Sequence, residues 1–180
     1  MANFFDKLDD NMKEFILKQQ IFFVATAPKE GKINLSPKGL DGLKIINNNK
    51  LLWLNYFGSG NETAAHLLED DRMTLMMCAY EGEPKILRIY AKVNVIQEKD
   101  AIWNEYISQF ENIHGARQVF ELNIESINDS CGWGVPLYQY QGQRDKLTNY
   151  FDNSTKEDHL AYMKKNNQLS FDGKETKLFD

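Results

Sequence analysis

Apolar positions recur along this chain with two distinct spacings. Over residues 4–20 they fall at Phe4, Phe5, Leu8, Met12, Phe15 and Ile16. That is roughly one helical face, so the pattern predicts a helix lying on the body of the domain. From residue 21 onward the spacing shortens toward two. Residues 21–27 (Ile-Phe-Phe-Val-Ala-Thr-Ala) read as a strand, Pro28 to Gly31 as a turn, and residues 33–36 as the returning strand of a hairpin. Residues 43–46 form a short strand, Asn47, Asn48 and Asn49 a turn, and residues 50–56 (Lys-Leu-Leu-Trp-Leu-Asn-Tyr) the next strand. Residues 72–80 are apolar at almost every position. Such a run predicts a strand covered on both faces, by the core on one side and by a partner subunit on the other. Residues 85–97 alternate, with Leu87, Ile89, Ala91, Val93 and Val95 on one face and Arg88, Tyr90, Lys92 and Asn94 on the other. Residues 116–127 make the last long strand, with imperfect alternation. Helical patterns cover residues 100–110 and the stretch from Ser154-Thr155-Lys156-Glu157, a capping box, through Lys165. Six main strands joined by hairpins, with no repeated βαβ unit, predict a mainly β, α+β protein built on a mostly antiparallel sheet or barrel. Residues 1–140 form the expected main domain, and residues 141–180 a C-terminal helical extension packed on it.

Composition narrows the function classes. The chain has 180 residues, 42% hydrophobic and 26% charged, with a formal net charge of −5. No basic stripe is present, so nucleic acid is not an expected partner. A small anionic ligand remains compatible if Lys, Arg and backbone N–H groups gather locally. Cys78 and Cys131 share no metal-ligand spacing, and His66, His114 and His159 are scattered, so no metal is expected. No signal peptide and no apolar run near the length of a membrane span can be read, which makes the cytoplasm the default location.

The stretch from Asn55 onward carries the candidate chemistry. A strand ends at Gly58-Ser59-Gly60 and opens into a helical segment beginning near Glu62. A strand-to-helix bend exposes backbone N–H groups at one spot, suited to a phosphate. Ser59 and Glu62 also fit a capping box, which would satisfy those groups from within the chain. Pro37 keeps Ser36 extended and leaves Lys38 at a strand end beside Gly39, either as a ligand contact or as a solvated lysine. Arg88 faces away from the core, toward a ligand or an ordinary salt bridge. Trp133, in Cys-Gly-Trp-Gly-Val-Pro, offers a flat plate that either covers an aromatic ligand or plugs a barrel end.

Three segments together resemble the pyridoxamine 5′-phosphate oxidase-related, FMN-binding split-barrel family: residues 33–39 (Ile-Asn-Leu-Ser-Pro-Lys-Gly), residues 54–67 with their Gly-Ser-Gly-Asn-Glu-Thr core, and the hairpin over residues 72–93. The likeness spans roughly residues 4–136. It implies a homodimer of six-stranded antiparallel split β-barrels with flanking helices and with FMN at the subunit interface. Carried over by position, Asn34, Leu35, Ser36 and Lys38 would line the ribityl chain and ring. Trp53 and Leu54 would sit beside the flavin. Ser59, Gly60 and Asn61, with Thr63 next to them, would face the phosphate, and Arg88 and Trp133 would add contacts. The oxidases proper carry an Arg-Lys pair where this chain has Gly60-Asn61, so the phosphate's counter-charge is expected from Lys38, Arg88 or Arg72. Their C-terminal Trp…Arg substrate segment is not matched, which points away from pyridoxamine phosphate. The resemblance therefore implies a flavoprotein oxidoreductase acting on an unidentified small molecule, or a non-catalytic flavin- or haem-binding, stress-related module on the same barrel.

Overall fold

The computed structural model describes residues 3–180. In chain order the elements are β1 (Asn3–Phe5), α1 (Asp10–Lys18), β2 (Phe22–Thr26), β3 (Asn34–Lys38), β4 (Leu43–Asn47), β5 (Lys50–Tyr56), α2 (Glu62–Leu67), β6 (Arg72–Cys78), β7 (Ile86–Ile96), α3 (Trp103–Ile107), β8 (Ala116–Ser130), α4 (Lys146–Asp152) and α5 (Lys156–Asn166). The strands form one antiparallel sheet in the order β3-β2-β6-β7-β8-β5-β4, with β1 added beside β8. The expected α+β split barrel is therefore observed, with eight strands rather than the six principal ones. β3 and β4 end the sheet without pairing with each other, and β3 tolerates Pro37 because an edge strand has one row of N–H groups to spare.

The barrel interior is filled by Val24, Leu51, Trp53, Leu75, Met77, Leu87, Ile89, Phe120 and Leu122, with Met12 and Ile16 of α1 and Ala64 and Leu67 of α2 packed into the same core. β5 is buried on both faces. Leu51 and Trp53 point inward, while Leu52 and Leu54 lie with Val119 and Phe110 in a second cluster to which α3 contributes Trp103 and Tyr106. β6 was expected to be the doubly covered strand. In the single chain it alternates instead: Met73, Leu75 and Met77 are buried, whereas Thr74 and Met76 are half-buried on the outer face.

The first helix is shorter than its apolar pattern. Phe4 and Phe5 belong to β1, and α1 starts only after Asp9, whose carboxylate accepts from the Met12 N–H at 2.7 Å. A side-chain acceptor there satisfies one orphan donor of the first turn and fixes the start. The expected helix over residues 100–110 also contracts, to α3. The last capping box sits one residue later than expected, with Thr155 as the cap and Asp158 as its reciprocal partner.

After β8 the chain runs irregularly through residues 131–144, then folds back as α4 and α5. Phe151 and Met163 join Phe57 in a third apolar cluster just beyond β5. Gly115 makes this approach possible. Its φ is +76°, and a Cβ there would lie 2.5 Å from the Phe151 ring.

Candidate functional site

The bend between β5 and α2 is not sealed by its own side chains. Asn61, not Ser59, occupies the cap position, and its side chain makes no capping hydrogen bond. Both polar atoms of the Asn61 side chain are buried without a partner, although the residue is only 2% exposed. The Glu62 carboxylate accepts from the Phe171 N–H at 2.9 Å and lies beside Gly60, 3.0 Å from where a Cβ on that residue would sit. α2 has six residues, so its dipole is a minor contributor; the side chains around the bend matter more.

The decisive one is Arg117, which none of the sequence patterns singled out. β8 has a bulge here: Asn55 pairs with Gln118 and Tyr56 with Ala116, leaving Arg117 as the extra residue. A bulge breaks the alternation of faces and re-aims a side chain. Arg117 Nη1 donates to the Gly60 carbonyl at 2.9 Å and to Asn167 Oδ1 at 2.7 Å, while Nε has no partner. Among the described residues the guanidinium has no carboxylate beside it. Burial pushes its pKa down to about 9, so it still carries its charge at neutral pH. Next to it in sequence, the Gln118 side chain is fully buried with both polar atoms unpaired.

A second cation approaches from β3. Asn34, Ser36 and Lys38 share one face of that strand. Asn34 Nδ2 donates to Thr63 Oγ1 at 3.3 Å, and Ser36 Oγ is buried without a partner. Lys38 lies over the Trp53 ring, 5.3 Å from its centroid. Its pKa is lowered first by burial and then by the charge of Arg117, so the two cations feel each other. Past Lys38, an open groove of about 1400 Å³ runs between the end of α1, the turn at Gly39 and Leu40, the β6–β7 turn and the irregular segment that carries Tyr138 and Tyr140. Leu40, at its rim, and Asp41 after it hold left-handed backbone angles (φ 60° and 53°), a form of local strain that functional loops tend to store.

The twelve sequence candidates thus divide. Asn34 meets Thr63 just past Gly60 and Asn61 of the bend, while Ser36 and Lys38 continue along the same face of β3, Lys38 close enough to Arg117 to feel its charge. Leu35 points outward and is 64% exposed. Trp53 and Leu54 lie in the two apolar cores, 2% and 1% exposed, so their rings and branches are committed to packing and only their backbone is left for a ligand. Ser59 is exposed and caps nothing. Arg88 is remote: it pairs with Asn128 near the far end of β8, and its Nη1 donates to Ser130 Oγ at 3.2 Å. Trp133 is 85% exposed. Arg72, considered as a source of counter-charge, is instead bound through Nε and Nη2 to Asp70, whose pKa its hydrogen bonds pull down to about 2.

Comparison with known proteins places this geometry. The family model for pyridoxamine 5′-phosphate oxidase matches residues 8–131. The chain belongs to that family. A relative, the pyridoxamine 5′-phosphate oxidase family protein ustO of Aspergillus flavus, is 37% identical over 142 residues, which is 76% of this chain and 57% of that protein. The chain therefore spans little more than half the length of this relative. Among solved structures, HupZ of Group A Streptococcus superposes with a TM-score of 0.58 at 15% identity, covering 68% of this chain and 98% of that one. HutZ of Vibrio cholerae, described as a haem storage protein, gives 0.52 at 19%, covering 71% and 98%. At these identities the structural likeness speaks for the fold. Within the family match lie β3, the bend and Arg117; Asn167 and Phe171, which hold Arg117 and Glu62, lie beyond it. Among the described residues no cluster of His, Cys, Asp and Glu could hold a metal ion, and no helix is long and apolar enough to cross a membrane.

Proposed function

We propose that this chain binds FMN and serves as an oxidoreductase for a small molecule not yet identified. One observation carries the reading: a buried guanidinium at Arg117, with no carboxylate partner among the described residues, bonds the Gly60 carbonyl next to Asn61 and precedes Gln118, and the buried side chains of both have no partners. A buried cation and orphaned amides are each costly in an unliganded protein. A phosphate supplies the missing charge and several acceptor oxygens at once. The residues therefore suit a phosphate-bearing group, with Arg117 and Lys38 as its cations and Asn61 and Gln118 as neutral donors. The groove beyond Lys38 offers room for a ring system and a substrate.

When bound, the flavin would supply the hydride chemistry. This chain's part is to hold and orient. Arg117 and Lys38 fix the anionic end, Asn34 and Ser36 line the approach from β3, and Tyr80 and Tyr138, packed edge to face at 5.4 Å, wall the groove. The outer face of β6 and β7 and the exposed Trp133 would be covered in a homodimer, which we propose as the working assembly.

The test is the absorbance spectrum of the purified protein, then mass analysis of what denaturation releases and an FMN titration of the stripped protein. A flavin spectrum or saturable FMN binding supports the proposal; a colourless protein indifferent to FMN overturns it. Turnover with NADH or NADPH and an artificial acceptor separates an enzyme from a binding module. Haem is the less favoured ligand. His66 is buried against Thr26 at 3.1 Å, His114 is held by Asp152 and His159 by Ser154, and no histidine lines the groove.

A further inference from the structure

The residues that hold Arg117 and Glu62 in place come from the end of the chain. Asn167 is fully buried, and its amide bridges the bend: Nδ2 donates to the Gly58 carbonyl at 2.9 Å, and Oδ1 accepts from Arg117 Nη1 at 2.7 Å. Carbonyl on one side and guanidinium on the other permit only this orientation of the amide. Asn167 is itself locked, its N–H donating to the Met163 carbonyl at 2.8 Å and its own carbonyl accepting from Thr176 Oγ1 at 2.7 Å. Four residues on, the Phe171 N–H holds the carboxylate of Glu62, the acidic group of the bend. The same short segment thus grips one positive and one negative side chain, and it grips the positive one with a neutral group. An aspartate would fill the same space as Asn167 and neutralise the guanidinium, while losing the bond to the Gly58 carbonyl, to which a carboxylate cannot donate.

We infer that segment 167–176 sets the charge of the phosphate site: Asn167 is a positioning residue that aims Arg117 while leaving its charge free, and the Phe171 N–H fixes the Glu62 carboxylate against Gly60. This rests on the flavin reading only for the identity of the ligand. The anion preference itself is a property of the bend and the tail.

The experiment compares the full-length protein with its Asn167→Asp and Asn167→Ser variants, titrated with FMN and with riboflavin, which lacks the phosphate. Wild type should prefer FMN. In Asn167→Asp that preference should fall at least about tenfold through weaker FMN binding, with riboflavin affinity unchanged, because the buried guanidinium now has an ionic partner. Asn167→Ser should lose less, about threefold, since it removes aim but adds no charge. A general structural fault would weaken both ligands together and leave their ratio intact; an unchanged ratio in Asn167→Asp overturns the inference. If Asn167→Asp does not fold, an unchanged ratio in Asn167→Ser does the same. Thermal shifts with inorganic phosphate on the same proteins separate the two claims. Stabilisation of wild type by phosphate but not by FMN would sink the flavin reading, and loss of that shift in the variants would still support the tail's role. No response of wild type to FMN or to phosphate would sink both.

Discussion

Arg117 and Glu121 of β8 lie four positions apart, and their surroundings are opposite. Glu121 is 8% exposed and fully engaged: Lys50 and Tyr106 donate to Oε1, and Asn94 donates to Oε2 at 2.9 Å. Arg117 is 7% exposed, held by two neutral oxygens and faced by no carboxylate among the described residues. Burial alone would raise the Glu121 pKa, but the hydrogen bonds from Asn94, Lys50 and Tyr106 together outweigh it and hold the carboxyl below its ordinary value. Burial of Arg117 dominates, opposed only by the Tyr162 phenol, and its pKa falls to about 9. The first arrangement is complete by itself, as a structural network must be. The second becomes complete only when something negative arrives. That difference, on one strand of one protein, is the physical basis for treating the Arg117 end as a binding site and the Glu121 end as scaffold.

The strongest break in the comparison is Arg117→Met. Removing a charge-assisted contact should weaken FMN binding about 100-fold, the equivalent of roughly 2–3 kcal/mol. The unliganded protein should melt no lower than wild type at neutral pH, because a buried uncompensated charge is removed with it. Above pH 9 the stability gap between the two proteins should shrink. There the native arginine begins to give up its proton while the unfolded one, at its ordinary much higher pKa, keeps it, so wild-type stability rises with pH relative to the variant. Denaturant melts at pH 7 and pH 10, alongside an FMN titration, check both parts. A variant that binds FMN like wild type would return Arg117 to the scaffold.

Glu121→Gln is the mirror experiment. Its amide cannot accept from all three donors, so the unliganded protein should lose about 1–2 kcal/mol, a figure kept low because the Lys50 side chain is 30% exposed. FMN affinity should not move. The native carboxyl titrates below its ordinary 4.5, so its contribution is present above that value and is lost as pH falls through the depressed native pKa. Wild type should therefore lose more stability than Glu121→Gln on acidification below pH 4.5. Equal losses would mean that the network is not worth what its geometry suggests.

The hairpins were legible because alternation at period two survives in β7 and because turn residues bound the short apolar runs of β2 and β5. The bend and Lys38 were legible because glycine and proline punctuate the chain there. The start of α1 was not, since Phe4 and Phe5 fit a helical face and only the carboxylate of Asp9 decides where the helix begins. Arg117 was hidden for a stronger reason. Its meaning depends on a bulge, which removes the face assignment, and on Asn167, fifty positions away in sequence. The available signal was the imperfect alternation at Ala116-Arg117-Gln118 directly after Gly115. In the same way, Ser59 and Glu62 read as a capping box because nothing local reveals that Phe171, 109 positions on, takes the Glu62 carboxylate. Local pattern reports backbone shape well; it does not report which charges a distant segment will hold.

The smallest expected effect tests whether the site's second cation shares the first one's state. Like Arg117, Lys38 is in no ion pair among the described residues, but it is only half-buried, and it lies over the Trp53 ring. Lys38→Met should therefore weaken FMN binding about fivefold, less than the loss at Arg117. Its pH signature is more telling than its size. In the unliganded protein, burial and then the Arg117 charge hold the Lys38 pKa below 10.5. A bound phosphate raises it again, so binding takes up a proton once the free protein has lost one. FMN affinity of wild type should fall as pH rises through that depressed value, and the fall should be smaller in Lys38→Met, where only Arg117 is left to give up a proton, above about pH 9. Titrations at pH 7 and pH 10 suffice. If both proteins lose affinity equally, Lys38 is only a rim lysine, and the anion site reduces to Arg117 and the neutral side chains around it.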